Sequence, residues 1–104
     1  MAREITIPYG NEKYTLAYSL DTVRTMEQAG FVIEEVATKP AVRIPELFYG
    51  SFIKNHRGIK RKMVEEIYKN LNRKDELVTA LAELYREAQS SLIDEGNVDW
   101  TISE

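Results

Sequence analysis

The stretch from residue 4 to residue 31 constrains the fold most, because two short alternating segments around a turn lead directly into a helix with recognisable ends. Ile5 and Ile7 alternate with polar residues, and residues 14–18 repeat the pattern. Alternation with period two is typical of half-buried strands. The Gly-Asn pair between the two segments can take the positive φ of a tight turn. We therefore predict a β-hairpin over about residues 3–18.

A first helix is predicted over about residues 20–30, with signals at both ends. Ser19 or Asp21 can cap its start, because either side chain accepts a hydrogen bond from an unpaired backbone N–H. Gly30 lies where a left-handed residue often ends a helix, and Phe31 can fold back onto the last turn. This helix is therefore short and bounded.

Three further helices are predicted from apolar residues at helical spacing. They cover about residues 42–55, 59–71 and 74–93. The first has Pro45 in its opening turn, where a missing N–H has no partner, and Gly50 and Ser51 are small enough for a close approach. Asn72 can cap the last helix. For residues 32–40 the sequence is compatible with a strand, an extra helical turn or a packed loop.

The C-terminal tail, residues 94–104, alternates Val98, Trp100 and Ile102 with polar residues. This pattern predicts a strand, which either joins the hairpin as a third strand or stays loose until a partner supplies an edge. The elements together predict one α+β domain over residues 1–104. It is helix-dominated, with the N-terminal hairpin packed on four helices.

Composition and motifs exclude several kinds of site. The chain is 43% hydrophobic and 30% charged, which is enough for a core in a single domain of 104 residues. It has no cysteine, so disulfides, thiolate zinc sites and cysteine nucleophiles are excluded. His56 is the only histidine and is expected at a helix end; no catalytic or nucleotide-binding motif accompanies it. We predict a non-enzymatic protein without catalytic residues, metal or cofactor.

The N-terminal segment and the net charge bear on location. Arg3 and Glu4 precede any apolar run, which predicts no secretory signal. No apolar stretch approaches the roughly 20 residues that span a bilayer. The net charge of −3 gives no global attraction to nucleic acid or anionic lipid. We expect a cytoplasmic protein with no membrane contact.

Residues 54–62 form the strongest charge asymmetry in the chain, since they hold five cations and no acid. Four of them, here called the basic corner, are Arg57, Lys60, Arg61 and Lys62. They could belong to a helix-turn-helix that contacts nucleic-acid phosphates. Glu65, Glu66 and the net negative charge favour instead a solvated corner or an acidic partner. The acidic tail offers such a partner, either in a second copy through head-to-tail pairing or within the same chain.

Aromatic residues supply the other candidate contacts. Phe48 and Phe52 are expected in the core, whereas Tyr49 lies on another side of the same helix and is the better surface candidate. Trp100, the only tryptophan, is interpreted as an interface anchor or as an ordinary lid over the hairpin.

The chain resembles a family of small phage and prophage proteins of Gram-positive bacteria, of about this length and catalogued as a domain of unknown function. The resemblance rests on the hairpin-to-helix passage ending in MEQAGF, on IPELFYGSFIKNH, on DELVTALAELYREA and on the closing GNVDW. Such proteins are often encoded as tail assembly chaperones. The resemblance implies a host-cytoplasmic protein that coats the tape-measure protein, recruits tail-tube subunits, can self-associate and has no catalytic residues.

Overall fold

The computed structural model describes residues 3–103 and contains a two-stranded sheet followed by four α-helices. The strands are β1 (Ile5–Tyr9) and β2 (Glu12–Leu16), and the helices are α1 (Leu20–Gln28), α2 (Pro40–Ile53), α3 (Arg61–Lys69) and α4 (Lys74–Ser90). Short 3-10 turns cover Ile33–Val36 and Ser91–Ile93. This arrangement confirms the predicted helix-dominated α+β fold.

The two strands pair antiparallel and form the predicted hairpin. Ile5 lies opposite Leu16, and the two-residue turn is Gly10-Asn11. Gly10 has a φ of 61°, whereas Asn11 keeps a negative φ. A positive φ at the first turn position alone is the pattern of a type II′ turn, whose twist matches that of the strands.

Both predicted ends of α1 are confirmed. The Ser19 hydroxyl accepts a hydrogen bond from the backbone N–H of Thr22 at 3.1 Å, which caps the first turn. At the other end Gly30 has a φ of 101°. The N–H of Phe31 then donates to the carbonyl of Met26 at 2.9 Å, and the Phe31 ring is buried. These contacts form a Schellman-type helix end.

α2 begins earlier than predicted. Pro40 occupies its first turn, so the placement of Pro45 in that turn is wrong: Pro45 lies inside the helix. Because Pro45 has no N–H, the carbonyl of Ala41 lacks its helical partner. The segment left open before α2 contains the 3-10 turn Ile33–Val36, with Ile33 buried in the core.

Small residues bring α1 and α2 close together, as the sequence predicted. A Cβ atom placed on Gly50 would lie 2.5 Å from the Met26 sulfur. Ser51 is fully buried, and its hydroxyl donates to the carbonyl of Phe48 at 2.6 Å. A larger side chain at residue 50 would therefore have to displace the flexible end of the Met26 side chain.

α3 is shorter at both ends than the predicted 59–71. Val64 and Ile67 are buried, whereas Met63 is exposed to solvent. The buried face is therefore centred on the side of Val64. Ile59 and Leu71 pack against the core from just outside the helix.

The predicted cap of α4 at Asn72 is wrong. Arg73 is the residue before the helix, in the left-handed conformation with a φ of 52°, and its side chain makes no capping bond. The Asp75 carboxylate accepts locally from the N–H of Glu76 at 3.0 Å. Asn72 does not cap the helix because the left-handed turn at Arg73 moves the cap position one residue along the chain.

α4 also ends before the predicted residue 93. The hydroxyls of Ser90 and Ser91 donate to the carbonyls of Glu87 and Ala88. Serine hydroxyls compete in this way with the regular helical bonds. The chain tightens into the final 3-10 turn, and Leu92 is left exposed.

The C-terminal end of α2 covers the outer edge of β2. The N–H of Ala17 donates to the carbonyl of Ser51 at 3.0 Å. Asn55 donates to the carbonyl of Thr15 at 3.2 Å, and the N–H of Thr15 donates to His56 Nε2 at 2.9 Å. His56 lies just after the end of α2, the helix-end position expected from the sequence, and its side chain serves there as a hydrogen-bond acceptor. An edge that would otherwise offer unpaired groups is closed.

The described part of the tail, residues 94–103, contains no strand, so the predicted third strand is absent. Its alternating pattern is suitable for a strand, but α2 occupies the outer edge of β2, and the tail does not pair with the outer edge of β1. The molecule measures 59 Å in its longest dimension and 30 and 24 Å in the others.

Aromatic side chains fill much of the core between the hairpin and the helices. Tyr85 is fully buried and packs edge-on against Tyr18 and Phe31, with ring centroids 5.4 and 5.2 Å away. Phe48 and Phe52 are also buried, as predicted, with centroids 5.0 Å apart. Edge-to-face pairs at these distances stabilise a core beyond the area that they bury.

Candidate functional site

A partly open apolar cavity between α2 and α3 is the best-defined candidate binding site. Its volume is about 150 Å³. We call it the α2–α3 groove; its lining residues are Ile44, Pro45, Phe48, Tyr49, Arg61, Val64, Glu65 and Tyr68. Only Arg61 and Glu65 among them are charged, so the groove suits an apolar group with a polar neighbour.

The groove follows from matching faces on the two helices. Positions 44, 45, 48 and 49 lie on one side of α2, and positions 61, 64, 65 and 68 lie on one side of α3. Both sets follow the three-and-four spacing that places residues on a common helix face. Pro45, inside α2, forms part of the wall.

Two contacts fix the aromatic walls. The Arg61 guanidinium lies over the Tyr49 ring, with 4.1 Å from Cζ to the ring centroid, which is a cation–π geometry. Tyr68 packs edge-on against buried Phe48 with centroids 5.1 Å apart. Burial raises the pKa of the Tyr68 phenol, so its hydroxyl stays protonated at neutral pH. Tyr49 is thus half-buried in the wall of the groove.

One residue of the basic corner, Arg61, lines this groove, whereas Arg57 lines a separate cavity beside α1. Arg57 and Lys60 lie in the α2–α3 loop, and Arg61 and Lys62 begin α3; all four are exposed. Within residues 3–103, no carboxylate lies within 4.0 Å of any of these side chains. Cations in the first turn of a helix oppose its dipole. Their placement therefore does not serve the stability of α3, and they remain available to an anionic partner.

The loop between α2 and α3 bears on the helix-turn-helix alternative. It spans residues 54–60, which is longer than the turn of about 3–4 residues in that motif. The backbone between the two helices therefore departs from the predicted motif, although the cations could still meet phosphate groups.

Trp100 lies away from the other candidate residues of its own chain. Its side chain is 77% exposed, so it is not a lid over the hairpin. Val98 and Ile102 beside it are exposed as well. Of the six candidate residues from the sequence, Tyr49 and Arg61 are in contact in the groove wall, and the other four do not line the groove.

The sequence did not predict the groove. Tyr49 was a candidate because it is an aromatic residue on the outer side of its helix, and Arg61 because it belongs to the basic corner. Nothing in the sequence marked Ile44, Pro45 or Tyr68 as residues of a binding site.

In the described part of the chain, no group of three or more His, Cys, Asp or Glu side chains could hold a metal ion. Among the described helices, none is both long and apolar enough to cross a bilayer.

Comparison with known proteins identifies a family. No curated protein and no solved structure matches this chain. One family model, described as a domain of unknown function, DUF5055, matches residues 1–103. The match covers the hairpin, all four helices and the tail, and the chain therefore belongs to the DUF5055 family.

Proposed function

We propose that this protein is a non-enzymatic tail assembly chaperone of a phage or prophage of Gram-positive bacteria. It binds helical segments of the tape-measure protein and helps to recruit tail-tube subunits. The proposal rests on the family resemblance described above, and one structural observation supports it: an apolar groove with a charged rim that is open to solvent.

The size of the groove indicates what it would bind. An apolar cavity of about 150 Å³ is large enough for benzene, and the groove has this volume. It therefore accepts one aromatic or branched aliphatic side chain, projecting from a client helix that lies across α2 and α3. The whole apolar face of a helix would not fit.

A single anchor of this kind gives weak binding. Burying one large apolar side chain contributes about 1.5–3 kcal/mol, whereas a micromolar complex requires about 8 kcal/mol. Many copies along a long client would gain avidity from repetition. Weak individual contacts also allow release when tail-tube subunits take over the client surface, as a chaperone requires.

The rim adds selectivity. Arg61 lies at the mouth of the groove, over Tyr49. A carboxylate on the client helix, one turn from the apolar anchor, would meet this guanidinium. We therefore expect the preferred client segments to combine a large apolar residue with Asp or Glu three or four positions away.

Co-expression with the tape-measure protein encoded nearby tests the proposal. We expect the soluble fraction of the client to rise with the wild-type chain, and to fall with Tyr49→Ala or Arg61→Glu. Arg86→Glu makes the same charge change on α4 at a residue that does not line the groove, so it serves as the matched control. A client that precipitates equally with and without the protein would exclude this function.

The unpaired basic corner supports a second candidate, binding of nucleic acid. Phosphate contacts made by these four cations would weaken steeply as salt rises. Fluorescence anisotropy with labelled duplex and single strands, at low and raised salt, separates the two functions. Failure to bind at low salt removes the second candidate and leaves the first unaffected.

A further inference from the structure

The C-terminal tail carries apolar side chains that are largely exposed in the described part of the chain. Val98, Trp100 and Ile102 are 88, 77 and 74% exposed. They alternate with polar residues, so in an extended conformation all three lie on one side. A cluster of large exposed apolar side chains marks an interaction surface.

The charges of the tail complement those of the basic corner, of which Arg61 lines the α2–α3 groove. After residue 93 the sequence has four carboxylates and no Lys or Arg. The basic corner has four cations without a described carboxylate partner. Opposite charges on two surfaces steer their encounter and fix its orientation.

We propose that the tail of one copy docks in the α2–α3 groove of a second copy. The six-membered part of the Trp100 ring enters the cavity, whose volume of about 150 Å³ admits one such ring. The indole N–H stays at the mouth, where the Glu65 carboxylate can accept it. Asp99, next to Trp100 in the chain, then lies near Arg61, the cation of the basic corner that lines the groove.

The outer edge of β1 is the other surface where an extended tail could bind. Thr6 pairs with Thr15, whose N–H and carbonyl point out of the sheet, so those of Thr6 also point outward. Pro8, two residues further along β1, faces the same outer edge but has no N–H to donate to an added strand. The cavity beside this edge contains Arg73 already paired with Glu76. This edge lacks the unpaired cations that favour the groove.

Docking of the tail would regulate the same groove that we assign to the client. That consequence rests on the proposed function: without client, copies occupy each other's grooves and cover their apolar surfaces, and client helices displace the tails. The docking itself does not depend on the identity of the client.

The test uses the single tryptophan of the chain. The full-length Trp100→Ala variant contains no tryptophan, so a synthetic peptide of residues 94–104 supplies the only indole when the two are mixed, and excitation at the red edge of the absorption band selects it over the six tyrosines. We expect the peptide emission to shift to the blue on titration as the indole leaves water. Adding Arg61→Glu to the variant should weaken binding by more than about tenfold, because like charges across an interface cost several kcal/mol.

Control variants identify the site where the tail binds, and the wild-type chain shows whether copies associate. Arg86→Glu in the same background should bind the peptide as the parent does. Wild-type chain should show a light-scattering mass that falls on dilution, and Trp100→Ala should remain monomeric. No shift in peptide emission would overturn the proposal. Binding that survives Arg61→Glu but is lost in Thr6→Pro would place the tail on β1 instead.

A monomeric wild-type chain with blue-shifted emission at every dilution would also overturn the proposal, because the tail would then dock on its own body. No client is present in any of these measurements. Their failure is therefore distinguishable from failure of the chaperone function, which the co-expression experiment reports separately.

Discussion

Replacing His56 tests the contact that joins the hairpin to α2. His56 Nε2 accepts the N–H of Thr15 at 2.9 Å. The ring also packs edge-on against Tyr14 and Phe52, with centroids 5.1 and 6.3 Å away. His56→Ala removes the acceptor and both ring contacts, whereas His56→Phe removes the acceptor and keeps an aromatic ring in place.

The magnitude follows from these contacts. A buried N–H left without a partner costs about 1–3 kcal/mol, and each edge-to-face ring contact contributes about 0.5–1.5 kcal/mol. Thr15 and His56 are only half-buried, so water recovers part of the first loss. We expect His56→Phe to lower the free energy of unfolding by about 1 kcal/mol and His56→Ala by about 2–3 kcal/mol.

Urea unfolding followed by far-UV circular dichroism measures both changes. With a slope of about 2 kcal/mol per molar urea, typical of small domains, the midpoint of His56→Ala should fall by about 1 M. Hydrogen exchange at the Thr15 amide should accelerate in both variants. If His56→Phe keeps the wild-type midpoint and slow exchange at Thr15, the hydrogen bond contributes nothing and this reasoning is wrong.

Other predictions concern packing, pH dependence and a buried hydroxyl. Gly50→Val should destabilise the domain by about 1–3 kcal/mol through overpacking, and the double variant with Met26→Ala should lose less than the sum of the two in urea titrations. Hydrogen bonding from Arg43 lowers the pKa of Glu35 below its ordinary value of 4.5; the resulting stability is present above that pH and is lost below it. Arg43→Met should therefore flatten the dependence of melting temperature on pH between about 6 and 3. Tyr18→Phe removes an O–H that donates to a backbone carbonyl at 2.6 Å, and the unfolding free energy should fall by about 1 kcal/mol.

The elements that the sequence predicted well depend on near neighbours in the chain. The hairpin needs only alternation and a Gly-Asn turn, and the end of α1 needs only Gly30 followed by Phe31. The start of α2 was misplaced because Pro40 and Pro45 can both open a helix, and nothing local distinguishes them. Asn72 resembled a cap, but the left-handed turn at Arg73 shifted the helix start.

The candidate site was harder to predict because it depends on residues far apart in the chain. Tyr49 and Arg61 meet only because the loop of residues 54–60 turns α3 back against α2. Composition indicated the basic corner, but not that one of its cations, Arg61, lines an apolar groove. The alternation in the tail is visible in the sequence, but whether an alternating segment forms a strand depends on the sheet edge that is available to pair with it.

The contact between Thr15 and His56 has a consequence for synthesis of the chain. The two residues are 41 positions apart, so at about 5–20 residues per second His56 emerges from the ribosome roughly 2–8 s after Thr15. Throughout that interval the nascent hairpin has two open edges, either of which can pair with another chain. Fragments that end before residue 56 should therefore aggregate, although they contain the complete hairpin and α1. The end of α2 would thus protect the chain while it is being made, as well as stabilising the finished domain.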